Sequence, residues 1–107
     1  MTDAVPPPVT AAIDAANRGD TAAFLACFTT DGVVDDWGRE FRGPDAITGW
    51  SDAEFIGVDV SLAVEGVETA GADTTVTAQV GGRGFNGPSH FTFHVAGDHV
   101  SRMTIRA

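Results

Sequence analysis

The sequence predicts a single α+β domain, with three short helices interleaved with a small hairpin and then four long antiparallel strands. Three observations carry this. As far as Trp50 the apolar residues recur at helical spacing, whereas after Gly57 they recur every second residue. Glycine- and proline-containing turns punctuate the segments, and no repeat, low-complexity tract or second compositional region interrupts them.

Residues 1–8 form a proline-rich lead-in ending in Pro6-Pro7-Pro8, which is helical at most as a first turn. Val9, Ala12, Ile13 and Ala16 then follow the i, i+3, i+4, i+7 rule of an amphipathic helix, which Gly19 stops. Asp20 is placed to cap a second helix over about Thr21 to Phe28. Thr29-Thr30-Asp31-Gly32 has the chemistry of a turn. A first strand is expected over Val33 to Trp37, with Arg39 to Arg42 as its partner across Gly38. Gly43-Pro44-Asp45 opens a third helix with proline at its first position, and Ala46, Ile47 and Trp50 give it an apolar face. Val58, Val60, Leu62 and Val64 alternate with polar residues, as a strand with one buried face requires. Three more strands are expected over Thr74 to Val80, Ser89 to Val95 and Val100 to Arg106, the last two joined by Ala96-Gly97-Asp98.

Composition excludes several function classes. Fifteen acidic residues against six arginines and no lysine give a formal net charge of −9. Such a surface repels phosphate backbones and anionic lipid, so neither nucleic acid nor membrane is an expected partner. One cysteine allows no internal disulfide. Met1 to Pro8 has no basic residue and no apolar stretch, unlike a signal peptide, so a cytoplasmic location is expected.

Three motifs resemble known chemistry in the wrong context. Gly82 to Gly87 spells G-x-G-x-x-G, but Pro88 and a strand follow where a dinucleotide site needs a helix N-terminus; a flexible strand connection is expected. His90 and His94 have a zinc-like spacing, yet on a strand they stand about 13 Å apart, too far to share one ion at 2.0–2.1 Å bonds. They are expected on the outer face of the sheet. Cys27 lies on an apolar helix stripe without a basic neighbour and reads as core. No metal and no organic cofactor is therefore expected. Asp35 and Asp36 are strand neighbours, so at most one of them faces an interior.

Asn17-Arg18-Gly19-Asp20, the helix ending at Phe28, Asp36 and then Phe41-Arg42-Gly43-Pro44-Asp45-Ala46-Ile47 together resemble the nuclear transport factor 2-like superfamily, in its SnoaL-like and ketosteroid isomerase-like branch. Ser89-His90-Phe91-Thr92-Phe93 is similar to that family's penultimate long strand. The resemblance covers about residues 9 to 106. It implies a cone-shaped curved sheet wrapped round the helices, an apolar pocket open at one end, and pairing of two chains through the convex face. On that outer face it places Thr75, Thr77, Thr92, His90 and His94.

The isomerase branch combines an aspartate base with a tyrosine and a protonated aspartic acid as oxyanion donors. Counted from Gly19-Asp20, the base position falls on Asp36, the tyrosine position on Ala12 and the acid position on Ser89. Both strong donors are thus missing. Loss of one such donor typically lowers the rate by about 10²–10³, so steroid isomerisation as such is excluded. Asp36 remains the candidate catalytic residue, a general acid–base whose pKa an aromatic cone would raise by desolvation. Trp37 and Trp50 are expected to line the mouth of the pocket, with Phe28, Phe85, Phe91, Phe93 and Met103 as its walls and Ser89 as a polar ligand contact. Two functions fit. One is a cofactor-independent enzyme of lyase, isomerase or hydrolase type acting on a small apolar or partly polar molecule. The other is a non-catalytic ligand-binding or dimerisation module.

Overall fold

The computed structural model describes residues 5–107. Of the lead-in expected over 1–8, residues 1–4 lie outside the described part, and Pro7 and Pro8 form the first turn of helix α1 (Pro7–Arg18). That suits proline, whose missing N–H is among those a first turn leaves unpaired. Gly19 closes α1 with φ 70°, a conformation that glycine adopts without steric cost. Asp20 then caps α2 (Thr21–Ala26), its Oδ1 accepting from the Ala23 amide at 3.0 Å.

Strands β1 (Phe28–Asp36) and β2 (Arg39–Arg42) form a hairpin, followed by α3 (Pro44–Glu54) and a short 3₁₀ turn (Ile56–Val58). Four long strands complete the chain: β3 (Ser61–Ala70), β4 (Asp73–Gly81), β5 (Gly87–Ala96) and β6 (His99–Arg106). All six build one curved, unclosed sheet in the order β2-β1-β6-β5-β4-β3. The helices fill its concave side, the cone expected of this α+β fold. No helix among the described residues is long and apolar enough to cross a membrane.

Four differences from the sequence reading have physical causes. The sheet is mixed rather than wholly antiparallel, because β1 lies parallel to β6. Second, Thr29 to Gly32 are not a turn: β1 begins at Phe28, where the Val100 amide donates to Cys27 O at 2.7 Å, and the extra residues are absorbed as a bulge. Third, Val58 lies in the 3₁₀ turn, and Val64 is 47 % exposed on β3, the edge strand. Finally, residues 82–86 are tied down rather than flexible: Arg83 Nε meets Asp59 at 2.7 Å, and Asn86 donates to Gly82 O at 2.9 Å.

The core lies between α1, α2, α3 and the concave face. Small residues on α1 (Ala12, Ala15, Ala16) let that helix approach closely, and Val9, Val34, Val76 and Val100 fill the contact. Phe55, just after α3, joins the aromatics. It stacks on Trp50 at 4.8 Å between ring centroids and meets Phe24 at 5.5 Å and Phe91 at 6.4 Å. The exposed backbone of β3 is held by Asn17 of α1, which accepts from Leu62 N at 2.7 Å and donates to Leu62 O at 3.1 Å. That contact covers part of an edge that would otherwise pair with another chain.

Candidate functional site

On β1, Val34 and Asp36 point into the cone, and Val33 and Asp35 point out of it. Asp36 ends the strand opposite Ile105 of β6 and Arg39 of β2. Between Asp36 and Arg39 the chain reverses through two residues with positive φ, Trp37 at 55° and Gly38 at 89°. Two such residues match the right-handed twist of a hairpin. For a tryptophan this conformation is strained, at about 1–2 kcal/mol. It leaves the indole of Trp37 59 % exposed.

A cavity of about 280 Å³ opens at this end of the cone. Asp36 and Ile105 line it from β1 and β6, Val80 and Gly81 from β4, and Ser89 and Phe91 from β5. Trp50, Ala53 and Glu54 reach it from α3, followed by Phe55, Val58 and Val60. Trp37 and Phe85, both 59 % exposed, stand at its mouth with Gly84. The wall is mostly apolar, with Asp36, Glu54 and Ser89 as its polar side chains.

Asp36 is held from two sides. The indole Nε1 of Trp50 donates to its Oδ2 at 3.0 Å, and Arg39 Nη2 contacts the same oxygen at 2.6 Å. Both bonds fall on Oδ2, which leaves Oδ1 without a protein hydrogen bond among the described residues. Arg39 also grips Glu54 with both terminal nitrogens, at 3.0 and 2.7 Å. Glu54, then Asp36, hold Arg39 more firmly protonated than usual, and Arg39 in turn lowers the pKa of Glu54.

Of the residues expected in the site, Asp36, Trp37, Trp50, Phe85, Ser89 and Phe91 lie together round this cavity. Phe28, Phe93 and Met103 do not. Phe28 packs edge-on against Phe24 at 5.2 Å, near the other end of β1. Phe93 and Met103 are paired across β5 and β6, each 1 % exposed. They share the inward face with Phe91, but one step deeper, where helices fill the cone. Sequence reading missed Arg39, Glu54 and Phe55. Arg39 had a visible signal, since it faces Asp36 across a two-residue turn; Glu54 and Phe55 arrive from a distant helix end.

Asp35 has the opposite surroundings. On the outer side of the sheet it accepts from Arg102 Nη2 at 2.8 Å, Arg106 Nη1 at 3.1 Å and the Gly38 amide at 2.7 Å. Chiefly because of Arg106, and against the effect of burial, its pKa is lowered to about 2. His94 lies on the same outer face, bonded to Asp73 at 2.7 Å, and His90 is exposed four residues earlier on the same strand. Cys27 is buried, and its burial raises the thiol pKa against the smaller opposing effect of Arg18.

A family model, described as a SnoaL-like domain, matches residues 9–106. No curated protein is similar enough to match. Solved structures share the whole fold. A Sinorhizobium meliloti protein provisionally named a polyketide cyclase is 25 % identical, superposes with a TM-score of 0.84 and covers 95 % of each chain. A Catenulispora acidiphila protein with a ketosteroid isomerase-like fold, solved with trimethylamine, is 24 % identical, with a TM-score of 0.81 over 97 % of this chain and 87 % of that one. A Mycobacterium tuberculosis protein solved with estradiol-17β-hemisuccinate is 14 % identical, with a TM-score of 0.78 over 94 % of this chain and 90 % of that one. With the family pattern running through nearly every described residue and the cone complete, the chain belongs to the SnoaL-like domain family of the nuclear transport factor 2-like superfamily.

Proposed function

We propose that the protein binds a small organic molecule in the cavity beside Asp36, and that Asp36 acts on a ligand proton as a general base. The observation that carries this is Oδ1 of Asp36, which has no protein hydrogen bond among the described residues, on a carboxylate set in a mostly apolar wall and fixed through its other oxygen. A base needs a lone pair within reach of the ligand and a fixed direction, and this arrangement offers both. The volume of about 280 Å³ lies just below the ~300–1,000 Å³ range of ligand pockets, which suits a ligand of one or two rings. The small molecules bound by the two liganded relatives support the same use of the fold.

One observation favours the non-catalytic reading. Ala12 is buried core at 1 % exposure and Ser89 offers only a hydroxyl, so neither position supplies a strong oxyanion donor. The protein as purified, examined by native mass spectrometry and assayed for turnover of whatever it retains, decides between the two. Asp36→Asn keeps the shape of the side chain and is expected to remove turnover, with stability changed by no more than about 1 kcal/mol, since Arg39 is half exposed. A variant as active as the original protein would leave Asp36 no catalytic role. We also propose a two-fold homodimer through the convex face of the sheet, which carries Thr75, Thr77, Thr92, His90 and His94 in alternation with core positions.

A further inference from the structure

We propose that the ligand of this cavity is a small protonated amine, its N–H held by Asp36 Oδ1 and its carbon substituents laid against the surrounding aromatic rings. This rests on the reading of the cavity as a ligand site, and it adds the charge of the ligand. The cavity lining contains two carboxylates, Asp36 and Glu54, and one guanidinium, Arg39, is paired to both from outside the lining, so the group carries one net negative charge. Arg39 already donates from both terminal nitrogens to those carboxylates, at 2.6 to 3.0 Å, and offers an incoming anion little. The acceptor left over is Oδ1 of Asp36.

An anion would add a second like charge beside Asp36 and Glu54, a repulsion that water at the half-exposed Arg39 and Glu54 screens only in part. A neutral ligand would leave the existing charge uncompensated. A cation cancels it, and the rings of Trp50, Phe55 and Phe91 in the cavity lining give its carbon substituents an apolar wall. The exposed rings of Trp37 and Phe85 extend the same surface to the mouth. The long-range field has the matching sign, at a formal net charge of −9 with no lysine.

Three probes of similar size and different charge test this: N,N-dimethylbenzylamine, phenylacetamide and phenylacetate. Each is titrated at neutral pH against the fluorescence of Trp37 and Trp50, the two tryptophans of a chain without tyrosine. The amine is expected to bind at least about tenfold more tightly than the amide, and the amide more tightly than phenylacetate. In Asp36→Asn the preference for the amine should fall to near parity. Glu54→Gln removes the charge but keeps Oδ1, and should shrink the preference without abolishing it. Equal binding of amine and amide, or tightest binding of phenylacetate, overturns the amine assignment while the cavity stands as a ligand site. If none of the three probes saturates the fluorescence change, the ligand-site reading falls and the amine assignment falls with it.

Discussion

Asp35 and Asp36 are adjacent and chemically alike, and the pleat of β1 sends them into different surroundings. From the sequence alone only Asp36 had a role, and of Asp35 only its place on the opposite face of the strand was legible. Two arginines from β6 and the Gly38 amide change that. Arg102 and Arg106 lie far from Asp35 in sequence, and their approach depends on the parallel pairing of β1 with β6, which no local pattern reveals. Asp35→Asn is expected to cost about 1–3 kcal/mol, lowering Tm by roughly 4–8 °C for each kcal/mol in a domain of this size. The pH dependence has a definite sign. The folded chain holds Asp35 at about 2, below its ordinary 3.8, so ionisation favours folding. That contribution is complete above the ordinary value and is lost as pH falls through about 2. Melting curves between pH 5 and pH 2 should therefore show a steeper loss of stability in the original protein than in Asp35→Asn; parallel curves would deny Asp35 this role.

At the scale of elements, the turn at Trp37-Gly38 links fold to site. It sets Arg39 opposite Asp36 and leaves an indole at the mouth of the cavity, at the cost of a left-handed tryptophan. Asparagine tolerates that conformation far better. Trp37→Asn should stabilise the hairpin by about 0.5–1 kcal/mol and at the same time weaken ligand binding by removing an aromatic wall. Thermal melts and ligand titration of the same variant check both signs; lower stability would mean that the indole contributes more by contact than the backbone loses by strain. The sequence showed where helices and strands lie, because those follow from periodicity. Thr29 to Gly32 escaped it, since the turn chemistry of those residues is outweighed by pairing with Val100. The depth of the cavity escaped it too. Alternation told that Phe91, Phe93 and Met103 point inward, but which of them meets a void depends on how far the helices reach into the cone.

At the scale of the whole molecule, the fold closes one end of the cone with helices and leaves the other to the site, and the outside of the sheet is the face proposed above for pairing. Light scattering at micromolar concentration is expected to give twice the 11.1 kDa of one chain, and a value near 11.1 kDa would rule the dimer out. The strand order has a consequence in time as well as in space. β6 is the latest strand in the sequence, yet it lies between β1 and β5 and joins the hairpin β1-β2 to the meander β3-β4-β5. Until residues 99–106 take their place, Asp36 has no Ile105 beside it, and the two parts of the sheet share no strand pairing. Assembly must therefore wait for the most distant contacts of the chain, whose loop closure is entropically the most demanding. Refolding after dilution from denaturant should take on the order of milliseconds to seconds, as expected for non-local topology, and residues 1–98 alone should show no cooperative unfolding. The cavity is accordingly expected to be completed only when β1 docks on β6, because Asp36 and Ile105, on the two sides of that non-local pairing, both line it.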